Sequence, residues 1–125
     1  MILDTNGLSA LADGDSKLEP ILRQATRIAL PVIVLGEYRY GIRQSRNRVR
    51  YEQWLAEAIA GYQVLDVDEG TSGHYAEVRE ELKRKARPIP ANDLWIAALA
   101  RQHHLPILSR DRHFDFVPGL KRIGW

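Results

Sequence analysis

The sequence predicts an α/β fold around a mostly parallel sheet of four to five strands. Short apolar runs suited to buried strands recur at residues 1–3, 28–34, 62–67, 106–109 and 120–123. Between them, apolar residues return every three or four positions, as amphipathic helices require. Strands that alternate with helices pack as a layered sandwich on a mainly parallel sheet.

Met1–Leu3 forms the first strand and ends at Asp4. A helix follows through Leu8 and Leu11 and stops near Gly14. Residues 16–27 read as a second helix, with Leu18, Ile21, Leu22 and Ala25 on one face. Residues 28–34 are apolar and β-branched, which predicts a buried strand, and 35–44 predict a helix interrupted by two glycines. Tyr51, Leu55, Ala58 and Ile59 share a face of a helix over 48–60, and residues 62–67 supply another strand. Tyr75, Val78 and Leu82 recur among charges across a helix at 74–86, which Pro88 and Pro90 end. The last helix, 91–104, carries Ile96, Leu99, Ala100 and His103. Residues 106–109 and 120–123 complete the strands. No repeat, linker or low-complexity tract interrupts the chain.

The chain has 125 residues, 45% of them hydrophobic, which suits a single domain with one core. It has no cysteine, so disulfides, thiolate metal sites and thiol nucleophiles are excluded. No apolar run reaches the roughly 20 residues of a membrane helix and no signal peptide opens the chain, so a cytoplasmic protein is expected. With a formal net charge of +2, attraction to nucleic acid must come from local patches.

No phosphate-binding glycine loop, zinc-helix motif or nucleophile elbow is present. The four histidines have no metal-ligand spacing, and His103 and His104 suit a helix C-terminus, where the dipole favours a cation. The acids are placed more informatively. Asp4 and Asp111 follow the strands Ile2-Leu3 and Ile107-Leu108, Glu37 follows the apolar run 32–35, and Asp93 opens a helix. Ligands bind outside the carboxyl ends of parallel strands, so these acids would meet at one edge. Clustered carboxylates repel unless a cation joins them, and all-oxygen ligation suits Mg²⁺ or Mn²⁺. A second reading remains for each acid: Asp4 and Asp93 as helix caps, Asp111 as a turn residue, Glu37 as a solvated side chain.

Four segments, in order along nearly the whole chain, resemble the motifs of VapC-type PIN-domain toxins. They are Asp4-Thr5-Asn6, then Gly36-Glu37-Tyr38-Arg39-Tyr40-Gly41, then residues 89–98 around Asn92-Asp93, and finally Leu108-Ser109-Arg110-Asp111 with His113-Phe114-Asp115-Phe116. Gly7 departs from the pattern, standing where an apolar residue is more usual. The resemblance implies a PIN-like α/β/α sandwich and a Mg²⁺-dependent endoribonuclease centre, with Mn²⁺ able to substitute. Asp4 and Asp93 would ligate the metal, while Glu37 and Asp111 complete the shell or orient water. Thr5, Asn6 and Ser109 would support them by hydrogen bonds, and Asp115 would be a fifth acid or a helix cap. It further implies cleavage of tRNA, rRNA or mRNA to 5′-phosphate and 3′-hydroxyl ends, the toxin role of a type II toxin–antitoxin module, a small antitoxin partner and a homodimer.

Arg39, Arg43, Arg46, Arg48 and Arg50 crowd the chain after Glu37, either as a track for the RNA backbone or as a solvated face. Tyr38, Tyr40 and Trp54 are the apolar surface expected for antitoxin docking; Trp54 and Trp95 otherwise suit a core or interface. Two alternatives complete the analysis. A phospho-acceptor signalling domain would want an acidic pair after the first strand and a lysine after the last; Asp4 has no acidic neighbour and Lys121 is poorly placed. A PIN module that only binds partners would not need the full acid set.

Overall fold

The computed structural model describes residues 1–125. Five strands, β1 (Ile2–Leu3), β2 (Ala29–Pro31), β3 (Gln63–Leu65), β4 (Ile107–Leu108) and β5 (Arg122–Ile123), form one sheet in the order β3-β2-β1-β4-β5. Every pair is parallel, with Ile2 opposite both Ala29 and Ile107, and Leu3 opposite Leu108. The helices are α1 (Thr5–Ala12), α2 (Glu19–Gln24), α3 (Val32–Arg43), α4 (Arg48–Ile59), α5 (Glu69–Arg84) and α6 (Ala91–His103), and a 3₁₀ turn spans Arg112–Phe116.

Consecutive strand residues face opposite sides of a sheet. Ile2, Leu3, Ile107 and Leu108 all have no exposed surface, so both faces of the central strands are covered. That is the α/β/α arrangement of parallel sheets. Helix α6 is buried along most of its circumference through Leu94, Ile96, Ala97, Ala98, Leu99 and Ala100, and it packs chiefly on α5. Trp95 stacks on Tyr75 across that pair at 4.0 Å between ring centres. Trp54 meets the edge of Tyr38 at 6.2 Å. Both tryptophans therefore serve packing.

Three boundaries differ from the sequence expectation. The strand expected over 28–34 stops at Pro31, whose extended backbone caps α3. A proline preset for the start of a helix outweighs the β-branched run behind it. The helix expected at 16–27 is confined to 19–24, because Pro20 can only occupy a first turn. The helix expected at 74–86 begins at Glu69, where Asp68 and Thr71 exchange side-chain and backbone hydrogen bonds in a capping box. His104 ends α6 in a left-handed conformation, φ 53°.

Gly7 is more than a weak helix residue. A Cβ there would lie 3.1 Å from the carbonyl oxygen of Leu108, so its absence lets α1 settle against β4. On the other side of β4, Phe114 is fully buried and anchors the 3₁₀ turn to the core. Phe114→Ala is expected to cost about 3–5 kcal/mol in urea unfolding, the loss typical of a buried aromatic truncated to a methyl.

Candidate active site

The carboxyl edge of the sheet gathers the acids expected there. Asp4 follows β1 directly and is only 4% exposed. Its Oδ1 accepts from the Gly7 amide at 3.1 Å, so it does cap α1. Its Oδ2 accepts from the Ser109 hydroxyl and, at 3.3 Å, from the Asn6 amide group. One carboxylate thus caps a helix and faces a cleft. Asp111 lies three residues beyond β4 and caps the 3₁₀ turn, accepting from the His113 amide at 2.9 Å. Asp93 occupies the first turn of α6 but caps nothing: Pro90 holds that position. Glu37, half-buried, sits midway along α3 rather than just beyond a strand.

Asp4, Glu37, Asp93 and Asp111 line one cleft of about 500 Å³, together with Thr5, Asn6, Ser9, Ala10, Asp13, Ile96 and Arg110. Ser109 has no exposed surface and ties the acids together: its hydroxyl donates to Asp4 and accepts from the Asp111 amide at 2.8 Å. Asn6 links the same loop, its Oδ1 accepting from the Arg110 amide at 3.1 Å. Thr5 lines the cleft without a hydrogen bond of its own to an acid. Asp115 turns away into a bidentate pair with Arg122, whose Nη1 donates to the Ser109 carbonyl at 3.0 Å. It neither caps a helix nor joins the cleft.

Arg39, Arg43, Arg46 and Arg48 lie outside the cleft lining, and Arg48 pairs with Glu52 at 2.8 Å. The basic residue in the lining is Arg110. Its guanidinium rests over the Trp125 ring, 4.6 Å from the centroid, and reaches Asp15 at 3.4 Å. Lys121 is absent from the cleft, so the lysine that a phospho-acceptor site needs is not in place. One participant escaped the sequence reading. His113 brings Nδ1 to 3.2 Å from Asp93 Oδ2 and 3.0 Å from Asp111 Oδ1. The available signal was local, since Asp111 and His113 are two residues apart across a single 3₁₀ turn.

Burial pushes the Asp4 carboxyl up to about 6; the nearby charges of Asp93 and Asp111 add to this, against the Ser109 and Gly7 hydrogen bonds. Asp93 is also raised, chiefly by burial and further by the Asp111 charge, while His113 acts in the opposite sense. Oxygen donors that resist ionisation without a counter-charge suit a hard divalent cation. Asp4 and Asp93 are donors of this kind, and Asp93, Asp111 and His113 each bring a ligand atom within 4.8 Å of the others.

A fully parallel five-stranded sheet with an acid-lined cleft at its carboxyl edge defines the class, an α/β domain whose acidic cluster suits a divalent cation. The PIN domain family matches residues 1–120, and the chain belongs to that family. Over 120 residues the chain is 32% identical to Ribonuclease VapC5 of Mycobacterium tuberculosis, covering 94% of this chain and 87% of that protein. The tRNA(fMet)-specific endonuclease VapC of Shigella flexneri is 30% identical over 100 residues, 79% of this chain and 76% of its own. Among solved structures, VapBC2 from Rickettsia felis bound to a promoter DNA fragment superposes with a TM-score of 0.86 at 27% identity, covering 99% of this chain and 97% of that one.

The Asp4 shift has a measurable consequence. Its folded value near 6 exceeds the ordinary value of 3.8, so between these the folded state holds a proton that the unfolded chain releases. Stability of the metal-free protein should therefore fall as pH rises through that window and level off above it. About two pKa units correspond to roughly 3 kcal/mol. Asp4→Asn keeps a capping oxygen and removes the titration. The stability difference between the two proteins should shift in favour of Asp4→Asn by that order between pH 4 and pH 7, as chemical unfolding in chelator would measure.

Proposed function

We propose that this protein is a metal-dependent endoribonuclease and the toxin of a type II toxin–antitoxin module, acting in the cytoplasm. The observation that carries the reading is the convergence of Asp4, Glu37, Asp93 and Asp111 on one cleft, with the Asp4 pKa raised by burial and further by the neighbouring acids. Repulsion of this kind is kept in a fold where a cation offsets it. The relatives named ribonuclease and the VapBC complexes of the same fold support the assignment.

In this reading Asp4, Asp93 and Asp111 hold the metal, Mg²⁺ with Mn²⁺ as a substitute. The ion would activate water and neutralise charge building on the phosphate. Ser109 and Asn6 fix the rotamer of Asp4, so its free electron pairs face the cleft. Glu37, across the cleft on α3, orients the attacking water. Water adds to phosphorus in line with the 3′-oxygen, which leaves with a proton; the products are a 5′-phosphate and a 3′-hydroxyl. Arg110 stands where a phosphodiester entering the acid cleft would meet a cation, while Arg39, Arg43, Arg46 and Arg48 serve the flanking backbone. The substrate is a tRNA, rRNA or mRNA.

The antitoxin is a small protein, and the toxin acts as a homodimer. Tyr38, expected at the docking surface, is 5% exposed and packs inside. Tyr40 and Val49, 67% and 68% exposed, are the most exposed large apolar groups of α3 and α4. A partner arginine inserted among the acids would occupy the cation position and silence the enzyme.

Loss of an outer partner of a metal ligand costs about 10–100-fold. Asp4→Asn and Asp93→Asn should each reduce RNA cleavage by at least that much while circular dichroism stays unchanged. Cleavage by purified protein in excess chelator would overturn the metal-dependent reading. Arg110→Ala should raise KM about tenfold and leave kcat within a fewfold, as expected for loss of one charged phosphate contact. The toxin role predicts that expression arrests growth, and that arrest is relieved by the co-encoded partner and by Asp93→Asn alike.

A further inference from the structure

We propose that His113 is a direct nitrogen ligand of the divalent cation, giving the centre a mixed carboxylate–imidazole shell that strengthens Mn²⁺ binding more than Mg²⁺ binding and so lets Mn²⁺ substitute. The inference rests on the metal-dependent reading above and concerns which atoms hold the ion.

The geometry that leads to it is local. His113 Nδ1 lies 3.0 Å from Asp111 Oδ1 and 3.2 Å from Asp93 Oδ2, and all three side chains are partly exposed. Two donors in adjacent positions of an octahedral ion at about 2.1 Å stand about 3.0 Å apart. The three atoms therefore have the mutual spacing of a ligand set. The 3₁₀ turn makes this possible: the His113 amide donates to Asp111 Oδ1, and the turn brings the imidazole back over the carboxylate that caps it. Phe114, buried next in sequence, holds the turn in register.

Charge gives a reason for an imidazole here. Asp4, Glu37, Asp93 and Asp111 already bring four carboxylates to the cleft. A further carboxylate at position 113 would add like charge to them, whereas a neutral imidazole adds a donor without adding charge. Imidazole is a softer ligand than carboxylate or water, and Mg²⁺ accepts it less readily than the transition metals do. An all-carboxylate centre has no such bias.

The same distances also describe a competing arrangement, in which Nδ1–H donates to the carboxylates and only orients them. Spectroscopy separates the two. Metal-free full-length protein is loaded with Mn²⁺, its affinity is measured by Mn²⁺ electron paramagnetic resonance, and ¹⁴N couplings are recorded by electron spin-echo envelope modulation. Wild type and His113→Gln are compared, with Mg²⁺ competition for both. Half exposure of the His113 side chain makes the substitution compatible with folding.

Direct ligation predicts a ¹⁴N modulation of bound imidazole in wild type and its loss in His113→Gln. It also predicts that the variant binds Mn²⁺ about tenfold more weakly or worse, while Mg²⁺ affinity changes less. Bound Mn²⁺ without ¹⁴N coupling, or coupling that persists in His113→Gln, overturns the proposal; metal-dependent cleavage by the same samples would leave the nuclease reading standing. Failure of Mn²⁺ to bind wild type at all overturns both.

Discussion

The parallel pairing of β1 with β4 is the contact on which the site depends. Ile2 opposite Ile107 and Leu3 opposite Leu108 align two strands that are a hundred residues apart in sequence. The register brings Asp4 beside Ser109, and the Ser109 hydroxyl then spans from the Asp4 carboxylate to the Asp111 amide. A shift of one residue would send each of these side chains into the opposite helix layer and carry Asp4 away from Ser109. Hydrophobic burial of four central side chains thus specifies the position of the two carboxylates just past them.

That arrangement sets stability against function. Asp4 is nearly inaccessible to water and surrounded by like charge, yet it also accepts the amide that starts α1. Capping and ligation use different oxygens of the same group, so the two readings of such an acid are compatible. Gly7 belongs to the same compromise. Its missing side chain lets α1 approach the Leu108 carbonyl, and its amide supplies a bond to the Asp4 carboxylate. A local loss of helix propensity is accepted because tertiary contact requires the space.

The arginines illustrate how sequence proximity can mislead. Arg39 to Arg50 follow Glu37 closely, but a helix turns successive residues around its axis, so neighbours in sequence face different directions. Glu37 lines the cleft and Arg39 and Arg43 do not. Arg110, unremarkable in sequence, is set at the cleft by the strand that precedes it and held over Trp125 at the far end of the chain. Tyr38 follows the same logic: placed by its neighbours on an expected docking surface, it faces inward against Trp54.

Much of the fold was legible from the sequence because hydrophobic periodicity is a local property. The alternation of strands and helices and the acids near strand ends came from spacing along the chain, and the four motifs from resemblance to a known family. The start of α6 after Pro88–Pro90 was read correctly because two prolines interrupt the periodicity there, while single prolines inside apolar runs, Pro20 and Pro31, were not recognised as helix openers. Sequence alone placed Asp4, Asp93 and Asp111 near the sheet's carboxyl edge, since each stands by a strand end or helix start, whereas Glu37 reaches the cleft from midway along α3. Only the tertiary structure decided which groups join them. His113, Ser109 and Arg110 gain their positions from the register of β1 on β4 and from a 3₁₀ turn anchored by Phe114, and those contacts between distant segments leave no periodic trace in the chain.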